Sequence, residues 1–249
     1  GSAVTALGVC LAVVLVCWPS WGVTQDDVAN VPSEQHQVGD DESKSYLLIP
    51  PSGEKVPDNG FALLVILPGG DGSADFHPFI KRIRNHALPK DFAVAQPVAV
   101  KWQDDQQIVW PTEKLKVAKQ QFSTEAFVEA VIKDVSGLHR IDPKRVYGMG
   151  WSSSGPAMYA LSLQEKPVLQ GSYIAMSVYK PDFLPPVANA KGRSIYLEHS
   201  PDDPVCPYWM ARKGHEDLKQ AEARTTLATY EGGHGWGGDV FGRIRVAIG

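Results

Sequence analysis

The chain has 249 residues, of which 43% are hydrophobic and 21% charged, with a formal net charge of −4. That length suits one large α/β domain, and the composition is that of a folded globular protein, not a disordered or fibrous one. Its lysines and arginines are scattered, with no concentrated basic patch to neutralise phosphates, so no nucleic-acid role is expected.

Residues 3–18 form an unbroken apolar or small-residue run, followed by Pro19-Ser20-Trp21-Gly22 and the acidic Asp26-Asp27. This is the form of a signal-peptide hydrophobic region, expected over 1–22 with cleavage after Gly22. The run is short of the roughly 20 apolar residues that a spanning helix needs. A secreted or periplasmic location is the expectation, without stable membrane association once the leader is removed. An uncleaved anchor is the competing reading. Cys10 and Cys17 lie in this leader, which leaves Cys206 with no internal partner for a disulfide. Residues 23–45 are polar and acidic without apolar periodicity, and are expected to be a flexible linker ahead of a domain over 46–249.

Strand-like and helix-like segments then alternate. Strands are predicted over 46–49, 61–67, 92–100, 145–149, 172–178, 194–198 and 225–230. Helices are predicted over 74–86, 124–138, 155–164 and 208–220, with a last one from Val240. The helix over 124–138 is the clearest: Phe127, Val131, Val135 and Leu138 recur at helical spacing behind Ser123 as a cap. Apolar strands separated by helices predict an α/β architecture, a mostly parallel central sheet with helices on both faces.

The central motif is Gly150-Trp151-Ser152-Ser153-Ser154-Gly155, placed where a strand meets a helix. It matches the pattern G-x-S-x-G of a nucleophile elbow, whose tight turn demands small residues two before and two after the nucleophile. Gly150 and Ser154 satisfy that around Ser152. The flanks of Ser153 include Trp151 and those of Ser154 include Pro156, so neither fits. Gly148-x-Gly150-x-x-Ser153 also approximates a dinucleotide fingerprint, but the acid expected about 20 residues on is replaced by Gln170-Gly171. Further on, Gly232-Gly233-His234-Gly235-Trp236 follows the last predicted strand. Between them, Glu198-His199-Ser200-Pro201-Asp202-Asp203 follows the strand before it. A serine hydroxyl is a poor nucleophile at neutral pH. It needs an imidazole to take its proton and a carboxylate to orient the imidazole, and the chain supplies them in the order serine, acid, histidine. After the strand over 61–67, Pro68-Gly69-Gly70-Asp71-Gly72 can turn backbone N–H groups toward a developing oxyanion. Gly70 is assigned there, with Ser153 supplying the second donor.

From about Tyr46 onward the chain resembles the α/β-hydrolase superfamily. The features are Leu67-Pro68-Gly69-Gly70, Ile141-Asp142-Pro143-Lys144-Arg145-Val146-Tyr147, the elbow, Asp203-x-Val205-x-Pro207 and Gly233-His234-Gly235. It is most similar to the small phospholipase/carboxylesterase, feruloyl-esterase and polyhydroxybutyrate-depolymerase-like esterases. In such esterases the acid precedes x-V/I-x-P, which implies Asp203 over Asp202. The resemblance implies ester hydrolysis by a Ser152–His234–Asp203 triad without metal or organic cofactor, on a small-molecule or polymer-derived ester. Many relatives begin the oxyanion loop with His-Gly where this chain has Pro68-Gly69.

Other residues receive plainer readings. His215-Glu216 begins like a zinc motif, but Lys219 stands where the second histidine belongs. His36, His77, His86, His139 and His199 are expected to be surface or packing residues, and Cys206 a packed thiol. Trp151 and Trp236 adjoin the catalytic positions; packing is the plainer reading for the aromatic loop residues, and for these two the alternative is that they bind substrate by lining an acyl or aromatic pocket. A peptidase or other acyl transferase on the same fold, and a non-catalytic binding protein, are the rival functions.

Overall fold

The computed structural model describes residues 25–249, so the leader expected over 1–22 lies outside the described residues. β1 (Glu34–Val38) and β2 (Asp41–Ile49) form a hairpin. There follow β3 (Phe61–Leu67), α1 (His77–Ala87), β4 (Phe92–Pro97), α2 (Thr124–Leu138) and β5 (Ile141–Trp151). The chain continues through α3 (Gly155–Ser162), β6 (Gly171–Ala175), β7 (Ser194–His199), α4 (Tyr208–Gln220), β8 (Arg224–Thr229) and α5 (Val240–Ile248). The eight strands make one sheet in the order β1-β2-β4-β3-β5-β6-β7-β8. β2 is antiparallel to both neighbours, and every pairing from β4 to β8 is parallel.

β3 shows why this sheet needs cover on both faces. All seven of its side chains are buried, so its unbroken apolar run serves two cores at once. Leu63, Val65 and Leu67 join Phe127, Val131, Met158, Leu197 and Leu218 on the side of α2, α3 and α4. Ala62, Leu64 and Ile66 join Ile80, Ile83, Met149, Tyr173 and Ile244 on the side of α1 and α5. α2 begins where Ser123 caps it, the hydroxyl accepting from Ala126 N at 3.1 Å.

Three expectations need correction. Residues 34–38 and 41–45, expected to lie in a flexible linker, are strand. β1 is a polar edge strand, Glu34-Gln35-His36-Gln37-Val38, held by its backbone ladder to β2, so it carries no apolar alternation to read. Val28 and Val31, just ahead of it, are buried in the core beside α1. The strand expected to run to 178 stops at Ala175, because Met176 has φ 40 and turns its N–H to Glu198 O. β4 ends at Pro97 rather than residue 100; beyond it, Ala99 N–H donates to Gly72 O.

Because β3, β5, β7 and β8 are parallel, the loops at their carboxyl ends emerge on one edge of the sheet. These loops carry Gly70, Ser152, Asp203 and His234 respectively. Among the described residues, no helix is long and apolar enough to cross a membrane.

Candidate active site

Ser152 follows the last residue of β5 and has φ 53, a left-handed conformation that costs an L-residue about 1–2 kcal/mol. Its surroundings hold it there. A Cβ on Gly150 would fall 2.9 Å from Ser154 Oγ, and one on Gly155 would fall 1.8 Å from Ser177 Oγ. Ser177 Oγ donates to Ser152 O at 2.7 Å. Ser154, where the motif usually has its second glycine, is fully buried. Its hydroxyl accepts from Trp151 N at 2.8 Å and lies 2.7 Å from Leu67 O and 3.0 Å from Trp151 O. The substitution thus gives the turn a staple to the end of β3.

Of the three consecutive serines, Ser152 meets the histidine. Its Oγ lies 3.0 Å from His234 Nε2, and His234 Nδ1 lies 2.8 Å from Asp203 Oδ2. A proton on Nδ1 facing the carboxylate leaves Nε2 to accept from the serine hydroxyl. The Asp203 side chain is fully buried, and its Oδ1 accepts from the backbone N–H of Val205 and of Cys206, each at 2.8 Å. Asp202 is exposed. Ser152 is half-buried and the His234 side chain is 18% exposed, so the assembly opens to solvent.

Four residues to which the sequence reading gave no part in the site hold these loops. His199 is 1% exposed, with Nε2 donating to Cys206 O at 2.7 Å and lying 3.3 Å from Asp203 Oδ2. Of the two readings open for it, surface or packing, it is the packed one, standing against the acid. Ser200 Oγ accepts from Gly233 N at 3.1 Å, joining the acid loop to the histidine loop, and Tyr230 OH donates to Gly233 O at 3.0 Å. Trp110 Nε1 donates to Pro68 O at 2.9 Å behind the glycine loop. A single buried histidine at a strand end has no periodic signature, so the place of His199 against the acid could not be read from the sequence.

The loop after β3 approaches the elbow closely. A Cβ on Gly69 would lie 2.5 Å from Trp151 Cδ1, so only glycine fits. Ser153 Oγ donates to Gly70 O at 2.7 Å, which links the two residues expected to carry the oxyanion donors. Trp151 itself is 3% exposed, with ring centroids 5.8 Å from Phe76, 5.8 Å from Phe79 and 5.5 Å from Trp236. It is a packing residue beneath the loop, not a pocket wall; an indole buried on all sides offers a ligand no face. Trp236 is half-buried in the same aromatic cluster, 5.5 Å from Phe79 and 6.4 Å from Tyr173.

Asp203, Cys206 and His234 place ligand-type atoms within 4.8 Å of one another. They do not fit a metal. Burial, then the Asp203 charge, push the Cys206 thiol up to about 12, so it stays protonated, while Asp203 and His234 already bind each other.

No family model matches the chain, and no curated protein matches it in sequence. Solved structures do match in architecture. Thermogutta terrifontis esterase 2 phosphorylated by paraoxon aligns with a TM-score of 0.62 at 14% identity, covering 88% of this chain and 91% of that one. The Bacillus cereus carboxylesterase gives 0.60 at 16% identity, over 82% and 91%. Staphylococcus aureus FphF, a fluorophosphonate-binding serine hydrolase, gives 0.62 at 13% identity, over 88% and 98%. The chain has the α/β-hydrolase fold. In this α/β-hydrolase fold the four loops described above share the carboxyl edge of the sheet, and the hydrogen-bonded serine, histidine and aspartate lie there.

Two outcomes follow for stability. Ser154→Ala or Ser154→Gly removes a buried hydroxyl from two partners and should cost about 1–3 kcal/mol in urea unfolding, although the glycine restores the usual motif. Burial holds His199 below the ordinary histidine pKa, and His77 likewise, in its bonds to Gln96 and Ser33. Both are neutral in the fold and take up protons more readily when unfolded. Their contribution is therefore complete above about pH 6.5 and lost as pH falls through the lower folded values. The urea midpoint should drop between pH 7 and pH 5, and His199→Gln should flatten that drop.

Proposed function

We propose that the chain is a serine hydrolase that cleaves carboxylic esters through an acyl-enzyme. The observation that carries this reading is the continuous Ser152–His234–Asp203 hydrogen-bond relay, at 3.0 and 2.8 Å, with its serine on a strained turn. The fold is one that named esterases and a fluorophosphonate-binding serine hydrolase also have, which supports the same class of chemistry.

Ser152 Oγ attacks the ester carbonyl carbon as His234 Nε2 takes the hydroxyl proton. The carbonyl oxygen becomes an oxyanion, met by the backbone N–H groups of Gly70 and Ser153. Asp203 keeps the ring oriented and stabilises it while it is charged. When the tetrahedral species collapses, the C–O bond to the alcohol breaks and His234 gives its proton to the leaving oxygen. Water then attacks the Ser152 ester, His234 again carrying the proton, and the carboxylic acid leaves with Ser152 restored. The chemistry draws only on these residues and water. The open site suits a small-molecule or polymer-derived ester, and the leader over 1–22 would deliver the enzyme to a secreted or periplasmic location.

The test is hydrolysis of p-nitrophenyl esters from acetate to decanoate. Turnover by the wild type should fall by about 10⁴-fold or more in Ser152→Ala and by about 10⁴-fold in Asp203→Asn. Equal rates in wild type and Ser152→Ala would refute the mechanism, and amide cleavage matching ester cleavage on paired substrates would make the enzyme a peptidase.

A further inference from the structure

His234 stands in Glu231-Gly232-Gly233-His234-Gly235-Trp236-Gly237-Gly238, a segment in which five of eight residues are glycine. Gly233 and Gly238 have φ of 72 and 65. Fixing so glycine-rich a segment costs more backbone entropy than fixing any other, so its own sequence does not hold the imidazole at Ser152.

Arg243, on α5, reaches back to both ends of that segment. Its Nη1 donates to Gly237 O at 2.6 Å. Its guanidinium carbon lies 4.6 Å over the Tyr230 ring, whose hydroxyl donates to Gly233 O. Its Nε donates to Glu198 Oε1, and Glu198 is 1% exposed. The other Glu198 oxygen accepts from Tyr173 OH. Glu198 lies in β7, the strand that leads into the loop of Asp203. The pair, buried at Glu198 and half-buried at Arg243, therefore joins the strand carrying the acid to the segment carrying the base. An ion pair with a buried partner is poor evidence for stability, since its desolvation cost offsets its attraction, but a planar guanidinium fork fixes geometry well.

We propose that Arg243, anchored by Glu198, is a positioning residue for His234, with no contact to substrate. The inference rests on the serine-hydrolase reading and deepens it.

The experiment compares wild type, Arg243→Lys, Arg243→Met, Tyr230→Phe and the α5 control Arg245→Met on one p-nitrophenyl ester. Amide hydrogen exchange across residues 232–238 is measured alongside. Both Arg243 variants should lose on the order of 10–100-fold in kcat, with little change in KM, and exchange faster across the glycine segment. Tyr230→Phe should show a smaller loss of the same kind, and Arg245→Met none. In a His234→Ala background, Arg243→Lys should cost nothing further. Melting curves identify any variant that fails to fold. Arg243→Lys keeps the charge opposite Glu198, and Tyr230→Phe removes one hydroxyl, so each carries the test if Arg243→Met does not fold. A folded Arg243→Lys protein with wild-type kcat and exchange overturns the inference, as does an equal fractional loss in both backgrounds. A wild type without Ser152-dependent turnover defeats the serine-hydrolase reading instead, and that failure is seen before any Arg243 variant is compared.

Discussion

The left-handed backbone at Ser152 is the constraint on which the rest of the site depends. It lifts the hydroxyl off the end of β5 and toward His234, at a cost no single contact repays. Ser177 holds the carbonyl of the same residue, Ser154 ties the turn to β3, and Gly150 and Gly155 make room for both. The strain persists because the elements around it over-determine that one conformation. The helix α3 starts immediately after the turn and is almost wholly buried, so the elbow has a rigid wall behind it.

Parallel pairing does the rest of the assembly. Adjacent parallel strands must end on the same edge, and their connecting helices must cross back over the faces. The residues that meet at Ser152 are therefore far apart in sequence and close in space. Polar contacts tie loop to loop, Ser153 to Gly70 and Ser200 to Gly233, while His199 at the end of β7 braces the Asp203 loop that follows it. The glycine loops supply close approach and leave the fixing to residues outside them. Trp151 fills the space under Gly69, and Arg243 reaches across the His234 segment.

How much of this was legible in the sequence follows from how each residue is held. β3 and α2 could be read at their observed limits, because a run of seven apolar residues and a capped stripe of Phe127, Val131 and Val135 each have one physical interpretation. Ser152 and His234 could be read because each sits among small residues just beyond a strand, whereas the choice of Asp203 over its neighbour Asp202 comes from the resemblance to esterases and not from any local pattern. β1 could not, since its side chains are mostly polar with none fully buried, and its ladder to β2 is backbone chemistry that any sequence can supply. The Arg243–Glu198 pair and His199 join distant segments through burial, which leaves no local pattern. Of the two readings open for Trp151, packing is the one the structure shows: adjacency in sequence to Ser152 places its side chain on the opposite side of the turn, in the α1 and α5 core.

The most direct test of the central claim, that His234 activates Ser152, is fluorophosphonate labelling followed by peptide mass mapping. Wild-type protein should carry a single phosphonyl adduct on Ser152, and His234→Ala should label far more slowly under the same conditions. An adduct on Ser153 or on another serine, or equal labelling with and without His234, would contradict the account.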